Sequence, residues 1–153
     1  MNQPEIIQVQ IRDVVFGKGV KIVQPVNLYG CSIGDECFIG PFVEIQDNVT
    51  IGNRTRIQSH SFICTGVVIG EDCFIGHGVT FINDRFATGK PAGDRSKWEI
   101  TSIGNEVSIG SNATLLPVSV CDGAVIGAGA VVTKDIIEKG IYAGNPAKLL
   151  QRF

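Results

Sequence analysis

Large apolar residues recur every six positions along most of this chain. Ile33, Ile39, Ile45, Ile51, Ile57, Ile63, Ile69, Ile75 and Phe81 form an unbroken column of nine, eight of them isoleucine. Glycine follows directly at Gly34, Gly40, Gly52, Gly70 and Gly76. The pattern returns at Ile103-Gly104, Ile109-Gly110 and Leu115, slips by one residue near Pro117, and continues through Val120, Ile126-Gly127 and Val132. A second column stands four residues after each large apolar position. It runs Cys37, Val43, Val49, Thr55, Ser61, Val67, Cys73 and Val79, then Val107, Ala113, Ala124 and Ala130, all small or β-branched.

Isoleucine and valine dominate the apolar set, and long alanine- or leucine-rich helical stretches are missing, which predicts strand and turn. Short strands are expected to bend at the glycine-bearing turns, because glycine tolerates the backbone angles of a corner. Three strands per turn give a triangular coil of about eighteen residues, with coils stacked ~4.8 Å apart. One coil cannot bury its own core, so several must stack. The prediction is an all-β parallel β-helix forming one domain over 1–153, with the repeat at 14–133, a loop at 84–101 and a tail at 134–153. Residues 1–13 are expected to start the first coil irregularly. Periodicity alone does not give the hand of the coil.

The stretch from Phe81 to Ile103 is twenty-two residues long, against eighteen for a coil. Within it, 84–101 loses the repeat and carries Trp98, the one tryptophan. An ordered loop packing on a neighbouring subunit is expected. Phe86 and Trp98 would be its apolar anchors, and Arg85, Lys90, Arg95 and Lys97 would be available to phosphates.

Charge narrows the function. Thirteen Lys and Arg against fifteen Asp and Glu leave a net charge of −2, which argues against a nucleic-acid surface. No apolar run is long enough to span a bilayer. The opening Met1-Asn2-Gln3-Pro4-Glu5 is polar and unlike a signal peptide, so the expected compartment is the cytoplasm, with no membrane partner. The five cysteines form no C-x-x-C pair and read as free thiols, with no metal site. Cys37 and Cys73, in the second column, read as small buried packing residues.

Stepping by eighteen compares positions between coils. His60 falls at the level of Phe42, His77 at Pro41 and Asn83 at Asp47, while Glu44 is already in that frame. Glu44, His60, His77 and Asn83 therefore fall within one arc, positions 41–47, spread over ~10 Å along the axis. The loop leaves immediately after Asn83, starting with Asp84 and Arg85. Both histidines, a carboxylate and a carboxamide on one edge beside a long loop mark a candidate site. Each also has a plainer reading: outward histidines as surface, Glu44 as a solubilising charge, Asn83 as the end of a strand.

The repeat resembles that of the hexapeptide-repeat acyltransferases, and the resemblance implies a left-handed β-helix. Val132-Thr133-Lys134-Asp135 and Ala143-Gly144-Asn145-Pro146-Ala147-Lys148 are similar to that family's C-terminal signature. By the resemblance, a short helix follows Pro146, and the last coils bind coenzyme A through Gly110, Ala128, Ala130, Lys134 and Lys148. Three runs are similar to a branch that acetylates 3-amino sugars carried on UDP or dTDP for O-antigen or S-layer glycans. They are Ile39-Gly40-Pro41-Phe42-Val43-Glu44-Ile45-Gln46, Gln58-Ser59-His60-Ser61-Phe62-Ile63, and Phe74-Ile75-Gly76-His77-Gly78-Val79-Thr80-Phe81-Ile82-Asn83-Asp84. The branch implies acetyl-CoA as cosubstrate, a nucleotide-linked amino sugar as acceptor and a homotrimer. It places Asn83 near the sugar amine. Glu44 or His60 would bind the sugar or relay a proton, and His77, Asp84 and Arg85 would contact substrate.

Hydroxyl-acetylating relatives typically carry a histidine in or near the long loop, and this loop has none. A hydroxyl needs a base as it attacks, whereas a neutral amine attacks a thioester unaided. Amine acetylation is therefore the leading expectation. Acetylation of a hydroxyl or another small amine, or a non-catalytic scaffold, are the alternatives. The γ-class carbonic anhydrases share the fold but need three histidines around zinc, and this chain has two.

Overall fold

The computed structural model describes residues 4–153. Met1, Asn2 and Gln3, part of the polar opening noted above, lie outside the described residues. The chain winds as a left-handed parallel β-helix whose strands build three faces. Face A holds seven strands, from Ile11–Arg12 to Val131–Val132. Face B holds six, from Val15–Phe16 to Ser119–Val120. Face C holds eight, from Lys21–Ile22 to Lys148–Arg152. The chain visits A, B and C in turn, so residues about one coil apart become neighbours.

Each short strand turns one large apolar residue inward. Ile33, Ile51 and Ile69 stack in register, as do Ile39, Ile57 and Ile75. The second column completes the core. Where it is polar, the side chain donates to a carbonyl of the next coil: Thr55 Oγ1 to Gly70 O at 2.9 Å and Ser61 Oγ to Gly76 O at 2.8 Å. The thiols of Cys37 and Cys73 do the same toward Gly52 and Gly104, each at 3.1 Å. Both cysteines are buried as expected, and Cys31 joins them. Every buried side-chain nitrogen and oxygen among the described residues has a partner.

The repeat glycines serve a different purpose from the one expected. Gly34 and Gly52 do not have left-handed backbone angles; a Cβ on Gly52 would lie 2.5 Å from the Gly70 carbonyl carbon. They allow stacked coils to approach closely. The left-handed angle falls two residues later, and it is often taken by larger residues, including Glu36 (φ 56°), Phe42 (φ 61°), Arg54 (φ 57°) and His60 (φ 64°).

Two further features differ from the sequence reading, the span of the excursion and the tail, while the start of the coil and the slip near Pro117 follow it. The coil begins at Ile11, within the irregular start expected of residues 1–13, and its earliest strands pair at a spacing of seventeen, as in Ile11 with Leu28. Phe81 lies on face A and Ile103 on face B, so their separation spans one face and not one coil. Ile69 accordingly pairs with Ile103, and the excursion is longer than the count suggested. The slip near Pro117 is accommodated by Ile103 pairing with Val120. Finally, the tail is not helical. Gly140–Ala143 adds to face C beside Val125–Ile126, and the turn through Gly144 (φ 96°) brings Lys148–Arg152 back antiparallel to it. That open edge offers the tail more backbone partners than an isolated short helix would have. The one helical turn among the described residues is Arg95–Lys97, in the loop.

Candidate functional site

Two corners flank face A. At the corner entering it from face C, stacked coils align Pro41-Phe42, Ser59-His60, His77-Gly78, Ser111-Asn112 and Ala128-Gly129. Backbone hydrogen bonds fix this column: His60 N to Pro41 O at 3.1 Å, Gly78 N to Ser59 O at 2.9 Å and Asn112 N to His77 O at 2.8 Å. The second residue of each step is left-handed, and Phe42 and His60 are exposed. The His60 ring stacks on Phe42 with centroids 4.8 Å apart. His77 Nδ1 lies 2.8 Å from Ser59 Oγ. With Ser59 accepting, the exposed ring keeps Nε2 free to take a proton; with Ser59 donating, Nε2 carries the hydrogen. Ser59 was not picked out from the sequence, although it lies one coil length before His77.

Glu44 lies on face A itself, in register with Asn27 and Phe62. Its carboxylate accepts from Asn27 Nδ2 at 3.2 Å and Gln46 Nε2 at 3.0 Å. Asn83 stands at the opposite corner, where face A passes to face B, on the level of Asp47 and Thr65. Its carbonyl accepts from Glu99 N at 2.9 Å, which joins the two ends of the excursion.

Asp84 and Arg85 shape the loop. The Asp84 carboxylate accepts from Phe86 N at 2.9 Å and Ala92 N at 2.7 Å. Arg85 pairs with Glu99 at 3.2 Å and donates to the Pro117 carbonyl. Farther along, Arg95 donates to both Asp47 oxygens, at 2.6 and 2.7 Å, and to Thr65 Oγ1 at 3.3 Å. Its guanidinium lies 5.1 Å from the Trp98 ring centroid. Burial pushes the Asp47 carboxyl up, but the hydrogen bonds from Thr65 and Arg95 outweigh it and hold it below the usual range.

The loop thus packs along its own chain's corner, with Trp98 as an anchor and Phe86 55% exposed. Arg85 and Arg95, expected to be available to phosphates, are held by carboxylates. Lys90 and Lys97 line a small hollow with Asp84, Ala87 and Thr88.

The arc 41–47 proves to be a whole face and not one edge. The two histidines share a corner and Glu44 lies between the corners. Asn83 sits across the face, separated from His77 by the strand Thr80–Phe81 and the turns on either side of it. The coenzyme residues divide likewise. Gly110 and Ala128 belong to the histidine side, and Lys148 is exposed where the returning tail pairs with Ala143. Ala130 is 0% exposed, a core residue whose side chain cannot line a groove. Lys134 follows Val131–Val132, on the Asn83 side. Among the described residues no three His, Cys, Asp or Glu side chains cluster to hold a metal, and no helix is long and apolar enough to cross a membrane.

The family model for the bacterial transferase hexapeptide (six repeats) matches residues 30–65, and that for the hexapeptide repeat of succinyl-transferase matches 66–82 and 100–134. Together they take in more than half of the chain, and the interval between the matched segments is the excursion. The chain belongs to the hexapeptide-repeat transferases.

Among curated hexapeptide-repeat relatives, bifunctional protein GlmU of Wolbachia pipientis wMel is 29% identical over 162 aligned residues, covering 91% of this chain and 36% of GlmU. Serine acetyltransferase 2 of Arabidopsis thaliana is 41% identical over 90, covering 57% and 27%. The chain thus spans about a third or less of the length of these relatives. Among solved structures, a mutant of the Bacillus cereus N-acyltransferase AntD, in complex with dTDP and coenzyme A, superposes with a TM-score of 0.72 at 20% identity, covering 92% of this chain and 84% of AntD. Perosamine N-acetyltransferase from Caulobacter crescentus, with coenzyme A and GDP-perosamine, gives 0.62 at 17% identity, covering 93% and 57%. At these identities the likeness establishes the fold.

Proposed function

We propose that this chain is a cytoplasmic, acetyl-CoA-dependent N-acetyltransferase acting on the amino group of a dTDP- or UDP-linked 3-amino-deoxyhexose, in O-antigen or S-layer glycan synthesis. The observation that carries the reading is the corner column. It sets both histidines in line with the exposed Ala128-Gly129 step, where side chains are minimal and a Cβ on Gly129 would meet nothing within 4 Å, beside Gly110, which lets the last coils pack closely. A pantetheine arm suits such a strip, with its thioester toward His77 and its phosphates toward Lys148. AntD and perosamine N-acetyltransferase, which share the fold, support the acceptor class.

The amine nitrogen forms a bond to the thioester carbonyl carbon. The tetrahedral intermediate then breaks its C–S bond, and the leaving thiolate takes the proton shed by nitrogen. The protein aligns amine and thioester and supplies a donor to the oxyanion. Asn83 orients the amine, while Glu44 or His60 binds the sugar or relays the proton. One chain alone holds Asn83 away from the histidines. A cyclic homotrimer would lay one subunit's Asn83 edge beside its neighbour's histidine corner and complete the site.

The test is release of coenzyme A, read with a thiol reagent, over a panel of nucleotide-linked amino sugars. Asn83→Ala, Glu44→Ala and His60→Ala, made one at a time, should each lower kcat/KM; three variants matching wild type would refute this placement. The Ser59–His77 pair favours a second reading, since an oriented imidazole suits a hydroxyl acceptor. Hydroxyl sugars in the same panel separate the two.

A further inference from the structure

A hollow opens where the excursion loop crosses the corner of the first coils. Tyr29 and Trp98 line it, with Arg12, Asp13, Asp47 and Arg95 around them. Each ring already carries a guanidinium: Arg12 lies 4.5 Å from the Tyr29 centroid and Arg95 5.1 Å from that of Trp98. The two arginines differ in what else they hold. Arg95 is occupied by Asp47 and Thr65. Arg12 makes no ion pair among the described residues, and its one side-chain hydrogen bond, to Asn27 Oδ1, is 3.5 Å long. The Tyr29 hydroxyl, the Trp98 indole N–H and the Asp13 carboxylate also have no protein partner among the described residues.

These groups match one kind of ligand. Aromatic faces and a stacked guanidinium favour a flat heterocycle. The unpaired indole N–H and phenol O–H suit the carbonyls at its edge, and the Asp13 carboxylate suits a ring N–H. A guanidinium with spare donors suits phosphate oxygens. We propose that this hollow is the nucleoside-diphosphate subsite of the acceptor, with the base stacked against Tyr29 and Trp98 and the diphosphate on Arg12. The assignment rests on the reading of the acceptor as nucleotide-linked. Its position fits, because Asn83 stands two strand spacings, ~10 Å, along the same corner from Asp47. A nucleotide sugar lying along this corner directs its amine toward Asn83.

Trp98 is the sole tryptophan, so emission on selective tryptophan excitation reports the surroundings of this one ring. The full-length protein is titrated with UDP, dTDP and GDP, and separately with uridine. At least one diphosphate should change the emission saturably. Tyr29→Ala should weaken its Kd about tenfold or more. Arg12→Gln should bring UDP close to the affinity of uridine. Both variants should keep the wild-type Tm and coenzyme A affinity. No saturable response to any nucleotide, or an unchanged Kd in Tyr29→Ala, overturns the assignment. The transfer assay separates it from the proposed function. Turnover of a nucleotide amino sugar with an unaltered KM in Tyr29→Ala overturns this subsite and leaves that reading standing. Nucleotide binding that needs Tyr29, without turnover of any amino sugar, upholds the subsite and overturns the acceptor reading.

Discussion

Gly34 and Glu36 occupy one corner two residues apart and obey different constraints. A Cβ on Gly34 would lie 2.5 Å from Asn53 Oδ1 and 2.8 Å from Asn53 N, so the coils would have to separate. Gly34→Ala should therefore destabilise the fold by about 1–3 kcal/mol. Glu36 is exposed in a left-handed conformation. Glu36→Gly relieves about 1 kcal/mol of backbone strain, offset by a comparable gain of freedom in the unfolded chain, about 0.4–1 kcal/mol. Thermal denaturation should show a loss for the first substitution and little change for the second. The thiols make another prediction at this scale. Burial pushes Cys31 and Cys64 up to about 11 each. Their folded values lie above those of the unfolded chain, about 8.5. Their stabilising contribution is thus intact below that value and is lost as pH rises through the folded one. Tm should fall between about pH 8.5 and 11, with a shallower slope in Cys64→Ala.

Among the elements, the excursion is tied down at several points, of which the Asp47 latch is one that a single substitution removes. Asp47 joins Arg95 to Thr65, and its carboxyl is held below the usual range, so the latch is complete above the unfolded value of about 3.9 and fails as pH falls through the folded one. Asp47→Ala should speed proteolytic nicking within 84–101 at neutral pH while leaving the coil's Tm nearly unchanged; equal nicking rates would show that the loop is held by other means. The strands were legible because Ile39, Ile57 and Ile75 face one another, and burial dictates their residue type. The corners were less so. Outward side chains such as Phe42 and His60 are chosen freely there, and the left-handed backbone leaves no mark in the residue names. The seventeen-residue spacing hid Arg12 and Tyr29, which a count of eighteen misaligns. Counting by coils also put Asn83 with the histidines, because six residues of arc are a complete face. The tail misled for another reason: its motif is similar to the family's, but the free edge at Tyr142 decides its conformation.

At the scale of the molecule, the separation between Asn83 and His77 has a direct test. If neighbouring subunits complete each site, Asn83→Ala and His60→Ala proteins, each impaired alone, should regain activity when unfolded and refolded together. Separately refolded samples mixed afterwards should not. Absence of recovery in the co-refolded sample would mean that each chain works with its own residues. Light scattering on the purified protein should give the mass of three chains.

The reversal at Gly144 has a further bearing on how such a coil varies in length. Once Lys148–Arg152 runs against Gly140–Ala143, the last edge of face C no longer presents a parallel template. An added rung has no seat there. At the other end, Ile11–Arg12, Val15–Phe16 and Lys21–Ile22 each have one neighbour and one bare edge among the described residues. Grafted rungs should be accepted upstream of Ile11 and rejected after Phe153, so this architecture lengthens from its beginning.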